Sequence, residues 1–378
     1  MLITSERILT DAGDPAPGWL DIDGDRITEV GRGTPPRQAD LIIDGLLIPG
    51  YVDAHCHGGG GAEFGTTDPA DVDTGLQAHL RHGTTSIVAS LVTNTIDALR
   101  EQVRLLVPRV QAGDLQGIHL EGPWLAEKYK GAHPADLLSD PDPAAVNDLL
   151  QAGEGTIRMV TLAPERQHSM SVIRLLNEQG VMAAFGHSDA NYQQTKEAIA
   201  AGARGVTHLF NAMPALRHRE PGPILAALED PSVTLELIFD GVHVATDLCA
   251  FVMRSFPDRV ALITDAMAAA GGGDGDYMLG NLSVNVCCGV ARLDDGKTIA
   301  GSTLTLDQAV RNAVAAGIPV GQAVHNATAI PARYLGLTDV GSIAPGKRAD
   351  LVVLDDDLQV QRVMLRGSWV GTEVPASS

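Results

Sequence analysis

Aromatic side chains are scarce in this 378-residue chain, where 6 Phe, 5 Tyr and 3 Trp make up 4% of the whole. So thin a set offers little for stacking on nucleic-acid bases. Basic residues are short as well, 27 Lys and Arg against 47 Asp and Glu, for a formal charge of −20. That field repels a phosphate backbone and an anionic membrane, so neither is expected as a partner, and an anionic substrate needs local recognition. Cysteine is confined to Cys56, Cys249, Cys287 and Cys288, with no C-x-x-C pair. A chain this long needs no covalent staples, and the four read as reduced, structural thiols. No stretch reaches the ~18 apolar residues that span a bilayer. The opening Met1-Leu-Ile-Thr-Ser-Glu-Arg has no apolar core behind a basic region, and a cytoplasmic location is expected.

What the chain does have is ordinary globular substance, 44% hydrophobic and 20% charged, with 41 glycines that suit close packing. Its length exceeds the ~250 to 300 residues of a usual single core, so one large domain with a small companion is expected. Residues 1–48 read as short strands broken by turns at Asp23-Gly24 and 31–36, and residues 339–378 return to the same idiom. Neither end can bury a core alone, so the two are expected to pair as one small β-sandwich. Between them, residues 49–338 alternate short apolar runs with longer amphipathic stretches. Strand candidates are 51–55, 84–91, 117–120, 159–162, 181–185, 205–208, 234–238 and 260–264, with helices at 95–110, 170–179, 191–201 and 247–255. This rhythm predicts an α/β fold, a (β/α)8 TIM barrel, with a loop and hairpin inserted at about 268–300.

The stretch Val52-Asp-Ala-His-Cys-His anchors the chemistry. Alternate residues of a strand share a face, so His55 and His57 converge on one point while Cys56 turns away. Neutral imidazole is a common metal ligand. Further residues of the same chemistry stand where other strands should stop: Glu121 at the third, His187 at the fifth, His208 at the sixth and Asp265 at the eighth. In a barrel of this kind the active site lies at those ends, so six such residues point to one metal-dependent site.

Several motifs, in order along nearly the whole chain, carry a resemblance: Pro49-Gly-Tyr-Val-Asp-Ala-His-Cys-His-Gly, His119-Leu-Glu-Gly-Pro, Gly186-His-Ser, Thr207-His-Leu-Phe-Asn-Ala-Met, Arg219-Glu-Pro-Gly, Asp240-Gly-Val-His, Thr264-Asp-Ala and 341–355. They resemble the amidohydrolase superfamily and, within it, the family of N-acetylglucosamine-6-phosphate deacetylases. The resemblance implies a hydrolase that frees acetate from N-acetyl-D-glucosamine 6-phosphate in amino-sugar catabolism and cell-wall recycling. It implies Glu121, His187 and His208 as ligands of the principal divalent ion, with His55 and His57 admitting a second. Asp265 is implied as general base, close enough to ligate, and His133 as the group that contacts the substrate and polarises its carbonyl. Arg219 and His243 are implied for the phosphate, and Ala132, Asn211, Ala212, Ile299, Ala300 and Gly301 for the rest of the substrate. One or two ions per subunit are implied, zinc foremost, with iron, cobalt or manganese also suited to a mixed His and carboxylate set. A homodimer or homotetramer is expected. Two other readings compete: a cyclic amidase or deaminase of the same superfamily, and a non-catalytic sugar-phosphate-binding barrel. None of the five lysines ends a candidate strand to bridge two metals, and no proposed ligand is missing.

Overall fold

Eight parallel strands form one sheet in strict chain order: Tyr51–Cys56, Thr84–Val92, Gly117–Glu121, Ile157–Leu162, Met182–Phe185, Gly205–Val206, Thr234–Ile238 and Val260–Ile263. They come from a computed structural model that describes residues 1–10 and 13–371. The tail 372–378 of the expected C-terminal segment lies outside the described residues. Gly117–Glu121 and Val260–Ile263 are buried at every position, as strands covered on both faces must be. Helices cover the outer face. The Thr95 side chain caps Ile96–Gln111 by accepting from the Ala98 amide, and Asn191 and Gln194 form a capping box at the start of Tyr192–Ala201.

The sixth and eighth strands stop two and one residues earlier than the apolar runs suggest, at Val206 and Ile263. The backbone turns left-handed at His208 and Asp265 and leaves the ladder. Side chains help to close the barrel. Between its first and eighth strands the Asp265 amide donates to the His55 carbonyl at 2.9 Å, and Asp53 accepts from the Thr264 hydroxyl at 2.6 Å. A single parallel bridge, Cys56 to Ala266, completes the seam.

The chain ends meet in a seven-stranded sheet of Leu2–Ile8, Ala16–Asp23, Arg26–Arg32, Leu41–Pro49, Leu351–Leu354, Val360–Leu365 and Ser368–Val370. Leu2–Ile8 is one strand with an irregular register after Ser5. A separate core of Ile3, Leu20, Ile27, Leu47, Leu351 and Met364 fills its inner face. Arg348 and Asp350 of the closing motif are buried against each other, and Arg348 also donates to the Ser86 hydroxyl at 2.8 Å, which ties this sheet to the second barrel strand. The insertion holds more than a hairpin. Gly275–Leu279, Leu282–Cys287 and Val290–Leu293 make a three-stranded antiparallel sheet on a small core of its own.

Asp307 fastens the outside of the barrel. It lies at the start of the helix Leu306–Ala315 and accepts from His82, just past the helix Pro69–Arg81, at 3.2 Å and from Arg311 at 2.9 Å. Burial alone would raise its pKa, but the hydrogen bond and charge of His82, with Thr305 and Arg311, outweigh that and lower it from 3.8 to about 2. A carboxylate lowered in this way stabilises the fold above its ordinary pKa and loses that contribution as pH falls through the lowered one. Asp307→Asn is therefore expected to be roughly 2 kcal/mol less stable than the parent at neutral pH. The gap should close as pH falls from 3.8 to about 2, measured by denaturant unfolding of both proteins at matched pH.

Candidate active site

The carboxyl ends of the eight strands open on a cavity of about 380 Å³. His55 lies within the first strand, His57 just past it, and Glu121 ends the third; His187, His208 and Asp265 each follow their strands by two residues. Those last three have φ values of 46°, 30° and 50°. The left-handed region is unfavourable for a residue with a Cβ, and here it frees each side chain from strand alternation.

The six side chains meet. The Nε2 atoms of His187 and His208 lie 3.2 and 3.1 Å from Oε1 of Glu121 and 2.9 Å from each other. His55 and His57 approach Nε2 to Nε2 at 3.0 Å, and lie 3.4 and 3.2 Å from Oδ1 of Asp265. Glu121 stands between the two groups, its Oε2 3.2 Å from His57 and its Oε1 3.6 Å from His55. His133 also lies 3.6 Å from Oε2 of Glu121, with its Nδ1 2.8 Å from the Thr93 hydroxyl.

The chemistry of this donor set fits a metal. Carbonyl and carboxylate oxygens accept, so the ring nitrogen facing one must carry a hydrogen. His187 Nδ1 donates to the Tyr129 carbonyl at 2.9 Å, His57 Nδ1 to the Ser90 carbonyl at 3.2 Å, and His55 Nδ1 to Glu236 at 3.2 Å. In neutral rings this leaves the inner Nε2 atoms as bare acceptors aimed at one another and at two carboxylates, which only positive charge can reconcile. The pKa pattern has the same cause. Against the opposing pull of burial, the charge of His55 and hydrogen bonds from His133, His187 and His208 hold Glu121 well below the carboxylate range. Asp265 is likewise held low, through His55 and His57. Hydrogen bonds to Asp265 and Glu121 raise His57 to about 9, although burial opposes its charge. A divalent ion held by these residues would supply that charge in place of the protons.

The other sequence-predicted residues divide. Ala132, His133, Asn211, Ala212, His243, Ile299 and Gly301 line the same cavity. The fully buried side chain of Ala300 belongs instead to the small core of the insertion. Arg219 is exposed on an adjoining groove of about 610 Å³ that shares Lys128 and Tyr129 with the cavity. His243 Nδ1 is held by Asp240 at 2.6 Å. Burial would raise the Asp240 carboxyl, but the hydrogen bond and charge of His243 keep it below its ordinary value.

Sequence reasoning missed four groups. Lys128 and Lys297 bring positive charge to the cavity wall. Asp53 and Glu236 are wholly buried beneath it. Glu236 left a readable trace, a lone charge within the apolar seventh strand. One of its oxygens, Oε2, accepts from His55 Nδ1 at 3.2 Å and from the His208 amide at 3.3 Å.

Comparison with known proteins gives a consistent picture. Residues 46–370 match the model of the amidohydrolase family. An N-acetylgalactosamine-6-phosphate deacetylase of Escherichia coli O157:H7 is 38% identical over 97% of this chain and 98% of its own length. An N-acetylglucosamine-6-phosphate deacetylase of Vibrio furnissii is 35% identical over 88% and 86%. Among solved structures, a mutant of the N-acetyl-D-glucosamine-6-phosphate deacetylase of Mycobacterium smegmatis, in complex with N-acetyl-D-glucosamine-6-phosphate, superposes with a TM-score of 0.96. It is 48% identical and covers 98% of this chain and 99% of its own.

Because Glu236 orients a ring on one side of the cluster and a backbone amide on the other, Glu236→Gln is expected to weaken metal retention about 10- to 100-fold. Competition with a chelator of known affinity, on protein whose circular dichroism is unchanged, measures it.

Proposed function

The chain belongs to the amidohydrolase family, and on that premise we propose that it is a metal-dependent hydrolase of N-acetyl-D-glucosamine 6-phosphate. The products are acetate and D-glucosamine 6-phosphate, formed in amino-sugar catabolism and cell-wall recycling. The observation that carries this reading is the meeting of Glu121, His187 and His208 within 3.2 Å beside a cavity also lined by Asp265 and His243. The Mycobacterium smegmatis relative, bound to this phosphosugar, supports the substrate.

Glu121, His187 and His208 would hold the principal ion, and His55, His57 and Asp265 would surround a second. Zinc is the first choice, with iron, cobalt and manganese as the others. When bound, the ion acts as a Lewis acid toward the amide carbonyl and lowers the pKa of water. Asp265 takes a proton from the attacking water and returns it to the departing nitrogen. Water oxygen bonds to the acetyl carbon, the carbon–nitrogen bond breaks, and the amine leaves protonated. His133, fixed by Thr93, orients the acetamide carbonyl. His243, with Nδ1 committed to Asp240, presents Nε2 to the phosphate, and Arg219 adds a planar fork suited to phosphate oxygens. Ala132, Asn211, Ala212, Ile299 and Gly301, which line the cavity, contact the remainder of the sugar.

We place the protein in the cytoplasm as a homodimer or homotetramer. The apolar side chains Leu216, Val242, Leu248 and Phe251, 38 to 55% exposed, lie close in sequence to Arg219 and His243 and support burial against a second copy. Among the described residues no helix is long and apolar enough to cross a membrane.

Asp265→Asn is expected to lower kcat about 10²- to 10⁴-fold while binding of the phosphosugar persists; acetate release at the parent rate would sink the assignment. His243→Asn and Arg219→Ala should each raise KM for the phosphorylated sugar and leave the rate with unphosphorylated N-acetylglucosamine unchanged. Parallel acetate assays with the C4 epimer, N-acetylgalactosamine 6-phosphate, decide between the two substrates of the relatives, with faster turnover of the gluco sugar expected.

A further inference from the structure

Away from the barrel mouth, one exposed group of ligating side chains comes together on the insertion. Cys287 ends the strand Leu282–Cys287 and pairs with Val290, so Cys288 and Gly289 are the two central residues of the hairpin turn. Both have positive φ, 57° and 73°. Asn, Asp or Gly normally fills the first of these positions, so a cysteine there is strained. The strain has a visible effect: the two sulfurs lie 3.5 Å apart, although consecutive strand residues would face opposite ways. Both thiols are exposed, contrary to the buried structural role their sequence suggests. Asp274 folds back over the turn, Oδ2 accepting from the Cys288 amide at 2.7 Å and Oδ1 from the Gly289 amide at 3.0 Å. A carboxylate has about four lone-pair positions, so two stay open. One ligand atom each of Asp274, Cys287 and Cys288 lies within 4.8 Å of the others.

We propose that Asp274, Cys287 and Cys288 form a second cation site, on the surface, for a soft divalent ion of the zinc or cadmium class. Two sulfurs each about 2.3 Å from one tetrahedral ion lie about 3.8 Å apart, close to the spacing the turn already sets. A disulfide fits poorly, since it favours Cα atoms at least about 4.4 Å apart and neighbours on a chain are held at about 3.8 Å. Binding breaks two S–H bonds, forms two S–metal bonds and releases two protons, with no change of oxidation state. Protons compete with the ion for both sulfurs, so affinity rises with pH. The ion clips Asp274 to the turn. Leu279 of the same sheet lines the barrel cavity, so the clip steadies one wall of the site.

Cadmium is the probe, added to full-length protein whose barrel site is already filled with zinc. The parent is expected to take up one cadmium per chain with an ultraviolet thiolate-to-metal charge-transfer band, more tightly as pH rises, and with slower reaction of its exposed thiols toward a disulfide reagent. The double variant Cys287→Ser with Cys288→Asn, whose asparagine suits the turn, should lose the band and bind one fewer ion. Asp274→Asn should weaken binding about tenfold or more. Absence of the band in the parent, or its survival in the double variant, which retains Cys56 and Cys249, overturns the proposal. Unaltered affinity in Asp274→Asn removes the carboxylate from the site. Acetate release by the double variant verifies that it is folded.

Discussion

One buried carboxylate, Glu121, has five imidazoles within 3.6 Å, those of His55, His57, His133, His187 and His208. An ionised group away from water is costly unless it is paired, and here the pairing is supplied from several different strand ends. Three of those rings are fixed from behind by oxygens on further elements: Ser90 on the second strand, Glu236 on the seventh and Tyr129 in the loop after the third. The barrel thus spaces acceptors around the outside of a ring of histidines, and each acceptor decides which nitrogen faces inward. Without the parallel sheet these oxygens would have no common frame.

The overall negative charge makes the local arrangement more telling. The protein as a whole repels anions, yet His243, Lys128 and Lys297 line one cavity and Arg219 stands on the groove beside it. In the proposed function a few local side chains recognise the anion against an unfavourable background field, which disfavours adventitious phosphate elsewhere on the surface.

The barrel was legible because buried parallel strands are short apolar runs, and because polar residues where such runs stop are conspicuous. Glu121, His55, His57, His187, His208 and Asp265 were found in that way; their separate roles came from the family resemblance. The strand limits at Val206 and Ile263 were not legible, since a left-handed residue leaves no mark on periodicity. The turn at Cys288 escaped for the same reason: strand alternation predicts diverging thiols, and only the backbone reversal brings them together. Ala300 shows a further limit, its side chain packed in the core of the insertion. A motif can mark a neighbourhood, but which member faces the cavity depends on packing that spacing does not encode.

The seam between the first and eighth strands joins two tasks in one place. His55 offers its carbonyl to the amide of Asp265, and Asp53, two residues before it, accepts from Thr264. The proposed proton acceptor, Asp265, therefore hangs on the seam that makes the cylinder a cylinder. If the strands part there by even a fraction of a residue, the base moves away from the ligands on the opposite edge while every helix is still in place. In such a molecule heat is expected to silence turnover before it melts the fold.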